Sequence, residues 1–593
     1  MTAVERVAAA YRASAAADRA EVWIHVRDEA AAIADAAAVD ARLARGEELA
    51  FAGATLAVKD NIDVEGLPTT AGCPAFAYRA DTDAPAVARL RAAGAVILGK
   101  TNMDQFATGL TGTRSPYGAV RDTRRPELAA GGSSSGSAVA VALGIADLGL
   151  ATDTAGSGRV PAAFQGIVGV KPTYGLVPTQ GIVPACPSLD CVSILARGVG
   201  VATGAVAVMS AGNDPAGRGW PLQAPLAATP MPRVAVARSE QLDGLSEDGL
   251  RAFAAAVRRL EAIGAEVVEV DLAPYLEAAT LLYDGAFVAE RYAAVGAFVA
   301  ANAAQVDTTV AAIVLGAKSI PAYALFADRR RLDSLRIAAL RQFDGCDALM
   351  LPTAPRQPTL ADVAADPIGV GRRLGTYTNF CNLFDMCAVA LPAGGADGRH
   401  FGVTLLAPAF HDRALYDLAH RFAGEPAVVP VRSGARGPGA RGEPPSVELL
   451  VVGAHMNGEP LNTELTGRGA SMVRAARTAP NYRLYRLATD PPKPGLVRVD
   501  PDDGVSIEGE LWALPPAGIA SLLAALPAPM ALGRVQLDDG TESVGFLCEP
   551  FAVTGAEEIS AFGGWRGYLA AAAAAGAAGG MAEGTAVRAQ PTR

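Results

Sequence analysis

The feature that most constrains the fold is a repeated alternation of strand-like and helix-like segments in the first part of this 593-residue chain. The run ATLAVKDNID predicts a strand that leads into a loop, and APAVARLRAAGAVILGKTN predicts a helix, a glycine stop and a buried strand. The segment GGSSSGSAVAVALGIADLGLATDT predicts a loop, a helix and a strand. Repeated units of this kind predict an α/β fold with a mostly parallel sheet that helices cover on both faces.

The chain is predicted to divide where its composition changes. Residues 430–445, PVRSGARGPGARGEPP, contain glycine, proline and arginine without apolar periodicity, and the strand-like run VELLVVGA follows directly. We predict a first domain over residues 1–430, a linker over 431–445, a small α+β or β-barrel domain over 446–570 and a low-complexity tail over 571–593.

Charge and cysteine usage argue against several classes of protein. A formal net charge of −10 disfavours a nucleic-acid binder, which needs a basic surface. The seven cysteines are odd in number and show no CxxC spacing, which predicts a reduced, cytoplasmic chain without a zinc site or a disulfide framework. The N-terminal segment carries charges through its apolar run, unlike a signal peptide, and no run of about 18 uncharged, strongly apolar residues predicts a membrane span.

One serine is enclosed by glycines in the segment TDTAGSGRVPAAFQG, residues 152–166. Gly156 permits backbone conformations that a Cβ forbids, so successive N–H groups up to Ser157 can point into one concavity. Such a concavity suits the negative charge that develops on a carbonyl oxygen when a hydroxyl attacks it. An ordinary turn after a strand is the more frequent origin of such a segment.

A serine nucleophile needs a base, and lysine is the better candidate here. None of the five histidines lies near Ser157 in sequence, and Ala155 stands where a GxSxG elbow has glycine. Lys59 follows the apolar run TLAV, where burial would lower the pKa of the amine from a reference of about 10.4. A hydroxyl in GGSSSGS, residues 131–137, could pass the proton. The alternatives are a surface lysine and a phosphate loop, the latter weakened because no GK[ST] follows.

Taken together, these segments resemble the amidase signature family. AVKDN, GGSSSGSAVAVA and TDTAGSGRVPAAFQGIVGVKPTYG occur in the family's order and spacing, and the resemblance covers residues 20–430. It implies a large mixed sheet between helical layers and a Ser–Ser–Lys triad. Ser157 matches the nucleophile, Ser133 the bridging serine that follows a cis peptide bond, and Lys59 the base. The family's oxyanion hole maps onto the backbone N–H groups of Thr154, Ala155, Gly156 and Ser157.

Two departures from the broad family point to one branch of it. Where many members read TDxGGSIR, this chain has Ala155 and Gly158, so we expect the pocket beside the nucleophile to change shape. Together with NMDQFATGLTGTRSPYG, this pattern resembles the allophanate hydrolase branch. It is less similar to the amidase-type component of tRNA-dependent amidotransferases, which usually has an acidic residue at the position of Gln105.

The branch also implies residues that bind substrate and product. Members hold a substrate carboxylate with a tyrosine and an arginine eight residues apart, which match Tyr323 and Arg331 in AYALFADRRRLDSLR. The same run of arginines is typical of a solvated helix face. LLVVGAHMNGEPLNTELTGRGA resembles the C-terminal domain of allophanate hydrolases, which has a γ-glutamyl-cyclotransferase-like barrel fold. In it, His455 is the candidate for binding a small carboxylated product, and the alternative is a loop histidine bonded to the backbone.

The resemblance implies an amidohydrolase that acts on allophanate, a small anionic amide, and a C-terminal domain that acts on the N-carboxycarbamate product. It implies no metal and no organic cofactor. It also implies a homodimer with a functional link to a biotin-dependent urea carboxylase, while the sequence gives no reason to expect a nucleic-acid or membrane partner. The alternatives are an amidase for another small amide, such as malonamate or a biuret-like compound, and a non-catalytic amidase-like subunit.

Overall fold

The protein is represented by a computed structural model that describes residues 1–210, 217–426, 443–490 and 492–582. It comprises two compact units, the first formed by Met1–Trp220 and Pro230–Glu443 and the second by Pro221–Thr229 and Pro444–Arg593. Most of the predicted linker, residues 431–442, lies outside the described residues, so its bounds stay a prediction.

The first unit is built on a mixed sheet. Its strands in chain order are β1 (Trp23–Val26), β2 (Thr55–Lys59), β3 (Pro68–Thr69), β4 (Tyr78–Arg79), β5 (Val96–Thr101), β6 (Leu148–Asp153), β7 (Val168–Lys171), β8 (Cys191–Ala196), β9 (Arg233–Ala237), β10 (Glu266–Val270), β11 (Ala348–Pro352), β12 (Met386–Ala396) and β13 (Arg399–Pro408). Within the described residues, eleven of them form one sheet in the order β1-β5-β2-β6-β8-β7-β12-β13-β11-β9-β10, and β3 pairs with β4. The strands predicted in ATLAVKDNID, in AVILGK and in ADLGLATD are therefore confirmed as β2, β5 and β6.

The expectation of a mostly parallel sheet is wrong for its centre. Strands β5, β2 and β6 are parallel, as are β11, β9 and β10, but the strands between these groups pair antiparallel. The reason is clearest for β12 and β13, which a two-residue turn joins at Asp397 and Gly398 with φ of 52° and 70°. Such turns join antiparallel strands. The large mixed sheet that the family resemblance implies is confirmed.

Helices cover this sheet. They are α1 (Ala3–Ala17), α2 (Glu29–Ala44), α3 (Pro85–Ala92), α4 (Ser135–Ala142), α5 (Arg159–Gln165), α6 (Val199–Ser210), α7 (Glu247–Ala262), α8 (Ala273–Asp284), α9 (Ala289–Ala301), α10 (Thr308–Gly316), α11 (Ala322–Gln342), α12 (Leu360–Ala365), α13 (Pro367–Leu374), α14 (Asn379–Leu383) and α15 (Asp412–Ala423). Small side chains let α4 pack against β2, β6 and α5, with residues 135–141 buried. Because α4 and α5 begin directly after the two serine-bearing loops, their packing fixes both loops.

The second unit contains two small sheets. Its elements are β14 (Val447–Val451), α16 (Asn462–Thr466), β15 (Ser471–Arg477), β16 (Tyr482–Arg486), β17 (Pro494–Arg498), β18 (Glu508–Leu514), α17 (Pro516–Ala525), β19 (Met530–Gln536), β20 (Glu542–Cys548), β21 (Glu557–Glu558) and α18 (Trp565–Ala582). The sheet orders within the described residues are β15-β18-β14-β20-β19 and β17-β16-β21. Since α18 continues to Ala582, the predicted tail begins as a helix, and residues 583–593 lie outside the description. The cyclotransferase-like barrel stays a prediction.

The described helices differ in length and apolar character. No single one of them is both long and apolar enough to cross a membrane, although Thr308–Ser319 and Ala322–Gln342 meet both criteria as a pair bent by 100°.

Candidate active site

Lys59 ends β2 and lies fully buried at the centre of the candidate site. Its Nζ lies 2.8 Å from Oγ of Ser133 and 2.8 Å from Oγ1 of Thr152. Burial lowers the pKa of Lys59 to about 7, the charge of Arg291 acts in the same direction, and nearby carboxylates oppose both. A substantial fraction of the amine is therefore neutral near pH 7, as a proton acceptor requires.

Ser133 lies in a loop whose backbone is tightly held. The peptide bond between Gly132 and Ser133 is cis. The N–H of Gly132 donates to the carbonyl oxygen of Leu110 at 2.9 Å, and a Cβ on this glycine would overlap the carboxylate of Asp104. Helix α4 begins two residues later. The hydrogen bond of Gly132 and the start of α4 keep Oγ of Ser133 beside the amine of Lys59.

Ser157 lies in the turn between β6 and α5 and is 2% exposed. Its Oγ donates to the carbonyl oxygen of Thr152 at 2.9 Å, and its own carbonyl oxygen accepts the N–H of Ser134 at 3.2 Å. Among the described residues, no hydrogen bond joins the side chains of Ser133 and Ser157. In this structure the hydroxyl of Ser157 is therefore directed at the carbonyl oxygen of Thr152 and not at Ser133.

A buried ion pair shapes the turn that carries Ser157. Arg159 donates to both carboxylate oxygens of Asp153 at 3.0 Å, and neither side chain is exposed. The same carboxylate accepts the N–H of Gly156 at 2.8 Å and that of Gly158 at 3.1 Å. Burial raises the pKa of Asp153, but the charge and hydrogen bonds of Arg159, the charge of Lys171 and the N–H of Gly156 together hold the pKa below its ordinary value. A charged carboxylate thus closes the turn.

This bonding changes the expected oxyanion hole. The N–H of Gly156 is not available for an oxyanion in this structure, because it donates to Asp153. The N–H groups of Thr154, Ala155 and Ser157 have no acceptor among the residues that the structure describes. Preorganised donors without an internal acceptor suit a developing negative charge.

The two departures from the broad family have different surroundings. A Cβ on Gly158 would lie 2.5 Å from Oγ of Ser193, so the small residue permits a close contact and opens no extra space. Ala155 is buried, and its carbonyl oxygen accepts the hydroxyl of Thr378 at 2.8 Å. The expected change in pocket shape is therefore not seen at Gly158.

Tyr323 and Arg331 lie on the exposed helix α11, and the structure contradicts their expected role. Tyr323 is 75% exposed. Nε of Arg331 lies 2.8 Å from the carboxylate of Glu277, and these two side chains are 54% and 45% exposed. A solvated guanidinium that is already paired does not provide a buried carboxylate site.

A second tyrosine–arginine pair has the same spacing: a partly buried Tyr283 and a buried Arg291, whose charge acts on Lys59. Arg291 is 1% exposed; its Nη2 donates to the hydroxyl of Tyr283 at 2.9 Å and its Nη1 donates to Oγ1 of Thr108 at 2.9 Å. Its Nε has no hydrogen-bond partner, and none of the described carboxylates forms an ion pair with it. Because an unpaired buried cation is costly, this arrangement indicates an anion site.

Comparison with known families identifies the first part of the chain. The family model for amidases matches residues 5–416. The chain belongs to the amidase family. A second model, for the allophanate hydrolase C-terminal domain, matches residues 447–570. The chain therefore combines an amidase domain with an allophanate hydrolase C-terminal domain.

Relatives of this amidase match it over different lengths. The urea amidolyase of Lachancea kluyveri is 40% identical over 555 residues, which is 89% of this chain and 30% of that protein. The chain thus spans less than a third of that relative. The urea amidolyase of Saccharomyces cerevisiae is likewise 40% identical, over 88% of this chain and 30% of its own length. The structure of the selenomethionine-substituted Kluyveromyces lactis allophanate hydrolase has a TM-score of 0.85 at 37% identity and covers 96% of this chain and 97% of its own.

The C-terminal domain of this amidase contains a pocket of about 340 Å³ that His455 lines together with Arg468 and Lys493. The imidazole stacks on the ring of Phe546 with centroids 4.7 Å apart, and its Nε2 lies 3.4 Å from the carboxylate of Glu464. Burial lowers the pKa of His455, and Glu464 opposes this shift. Two cations beside a histidine–carboxylate pair suit a small anion that carries more than one carboxylate.

Sequence reasoning missed Tyr283 and Arg291 although a signal was present. Both candidate pairs have the same spacing, but Arg331 belongs to a run of arginines, whereas Arg291 is a lone arginine in AFVAERYAAVGAFVAA. A lone arginine in a mostly apolar helix predicts a buried cation better than a run of arginines does.

Proposed function

We propose that this amidase hydrolyses allophanate to ammonia and N-carboxycarbamate, and that its C-terminal domain converts this product to ammonia and carbon dioxide. The observation that carries the proposal is the buried guanidinium of Arg291, which lacks a carboxylate partner among the described residues and whose charge acts on Lys59. A carboxylate bound there, with a hydrogen bond from Tyr283, would direct the amide of the same small molecule to the serines. The similarity to an allophanate hydrolase over nearly the whole chain supports the same substrate.

Ser157 is the proposed nucleophile. As its hydroxyl attacks the amide carbon, its proton passes to Ser133 while Ser133 passes its own proton to Lys59. The carbonyl oxygen becomes negative and is stabilised by free N–H groups of the turn, each worth about 10²–10³ in rate. Lys59 then returns the proton through Ser133 to the leaving nitrogen, and ammonia departs from an acyl-enzyme. Water loses a proton along the same relay and hydrolyses the ester.

The pocket beside His455 is the proposed site for N-carboxycarbamate. This product carries two carboxylates, and Arg468 and Lys493 supply two positive charges. When carbon dioxide leaves, the nitrogen gains an electron pair and needs a proton. His455, oriented by Glu464, is the proposed donor.

Ammonia release from allophanate, corrected for uncatalysed breakdown, tests the proposed reaction. Ser157→Ala, Ser133→Ala and Lys59→Met should each lower kcat at least about 10³-fold, as removal of one member of a nucleophilic triad does. Turnover that survives in Ser157→Ala would refute the mechanism. If allophanate gave no more ammonia than its uncatalysed breakdown while malonamate or biuret were turned over, the substrate would be the alternative small amide. No turnover of any of these would favour the non-catalytic alternative.

We further propose that a biotin-dependent urea carboxylase supplies the substrate. The support is that urea amidolyases extend well beyond the part that this chain matches, which is 30% of one and 36% of another. A mixture of urea, ATP, bicarbonate and such a carboxylase should release ammonia faster than uncatalysed breakdown only when this protein is added. The cytoplasmic location and the homodimer also stay predictions. Light scattering after gel filtration would test the homodimer.

A further inference from the structure

The loop Asp104–Arg114 connects the bridging serine with the buried arginine. Its first residue closes the loop, because the carboxylate of Asp104 accepts the N–H of Gly112 at 3.0 Å and that of Arg114 at 2.9 Å. The N–H of Asp104 donates to the carbonyl oxygen of Ser133 at 3.3 Å. One end of the loop is therefore fixed to the catalytic backbone.

The other side of the loop presents two oxygens to Arg291. Nη1 of Arg291 donates to Oγ1 of Thr108 at 2.9 Å and to the carbonyl oxygen of Ala107 at 3.3 Å. The hydroxyl of Thr108 donates in turn to the carbonyl oxygen of Phe106 at 3.2 Å. Because a hydroxyl has only one proton, this bond directs the lone pairs of Thr108 toward the guanidinium.

The backbone of this segment is held in a conformation that residues with a Cβ rarely adopt. Phe106 and Ala107 have φ of 48° and 51°. The ring of Phe106 packs edge-on against Phe76 with centroids 5.3 Å apart, and Nη1 of Arg114 donates to the carbonyl oxygen of Thr108 at 2.9 Å. Such strain persists where the surroundings determine it, and it is concentrated at functional sites. Here the strained backbone directs the carbonyl oxygen of Ala107 and Oγ1 of Thr108 toward the guanidinium of Arg291.

We infer that Thr108 is a positioning residue that sets the preference of this amidase for anionic amides. It acts through Arg291, and the inference rests on the proposed function, in which Arg291 receives the substrate carboxylate. Thr108 and Ala107 hold one edge of the guanidinium, while Nε stays buried without a partner. The loop thereby sets the position of the cation relative to the serine at its other end.

Allophanate and biuret provide a matched test, because biuret has a neutral carboxamide in place of the carboxylate. Thr108→Val keeps the branched shape but removes the acceptor. We expect the KM for allophanate to rise about tenfold or more, while kcat and the inhibition constant of biuret change less than about twofold. Thr108→Ser keeps the hydroxyl and should restore KM to within about threefold. Thr113→Val is the matched control, since Thr113 bonds to Thr111 in the same loop.

Arg291→Gln separates the two proposals. If Arg291→Gln loses the preference for allophanate over biuret and Thr108→Val keeps it, the positioning role is refuted and the carboxylate site stands. If Arg291→Gln keeps the preference, the proposed carboxylate site itself is wrong. If Thr108→Val weakened the binding of allophanate and of biuret equally, and Thr108→Ser did not restore it, Thr108 would contribute to folding alone. Thr108→Ala replaces Thr108→Val in the same comparison if valine prevents folding.

Discussion

The pH dependence of allophanate hydrolysis tests the role of Lys59 most directly. The proposed base acts in its neutral form, and burial lowers the pKa of Lys59 from 10.5 to about 7. The value of kcat/KM should therefore rise with pH, reach half of its maximum near pH 7 and level off above about pH 8. About a tenth of the amine is neutral one pH unit below this midpoint, and about nine tenths one unit above it.

The assay measures initial ammonia release at low allophanate concentration from about pH 5.5 to about pH 9.5, with uncatalysed breakdown subtracted at each pH. Two variants should move the midpoint in opposite directions. Arg291→Gln removes a positive charge that lowers the pKa of Lys59, so the midpoint should move to higher pH. Asp190→Asn removes a negative charge that raises this pKa, so the midpoint should move to lower pH. General structural damage would not produce opposite shifts.

Two results would refute this reasoning. If kcat/KM kept rising about tenfold per pH unit up to about pH 9.5, the base would have the pKa of an ordinary lysine. If Lys59→Met retained the rise with a midpoint near 7, another group would be the base.

Three further predictions concern the surroundings of the two sites. Gly158→Ala should lower the free energy of unfolding by about 1–3 kcal/mol in thermal denaturation, because its Cβ would lie 2.5 Å from Oγ of Ser193, and Ser193→Gly should recover part of the loss. His455→Ala should leave release of the first ammonia unchanged while N-carboxycarbamate accumulates in ¹³C NMR spectra; no accumulation beyond that of the unmodified enzyme would contradict the assigned role. Arg331→Ala should change the KM for allophanate less than about twofold, since its ion pair with Glu277 is solvated, and a tenfold rise would return Arg331 to the substrate site.

Local patterns were sufficient to predict elements but not their neighbours in the sheet. Strands β2, β5 and β6 and helix α4 follow from apolar runs and glycine stops that lie within a few residues of each other. The antiparallel centre depends on the pairing of strands that are distant in sequence, and the periodicity of a short segment does not predict such pairing. Its one local signal was the Asp397–Gly398 turn, because an Asp-Gly pair between two apolar runs favours a hairpin.

The candidate site divides in a similar way. Motif order was enough to select Lys59 and Ser133, whose atoms lie 2.8 Å apart. It did not reveal that the N–H of Gly156 is already bonded, although Asp153 stands three residues earlier and aspartate commonly accepts nearby backbone N–H groups. The hydrogen bond from Gly156 to Asp153 could therefore have been predicted from the sequence of the turn. The ion pair with Arg159, which fixes the carboxylate, could be seen only in the structure.

The choice between the two tyrosine–arginine pairs shows why spacing alone is insufficient. On one uninterrupted helix, residues eight apart are separated by about 12 Å along the axis and by about 80° around it, so Tyr323 and Arg331 on α11 cannot close on one small carboxylate. Tyr283 and Arg291 have the same spacing, but α8 ends at Asp284 and α9 begins at Ala289. The break lets the chain turn, and Nη2 of Arg291 reaches the hydroxyl of Tyr283 at 2.9 Å. Since Gly285 lies between the pair in YDGAFVAER, the informative pattern is the spacing together with the interruption of the helix.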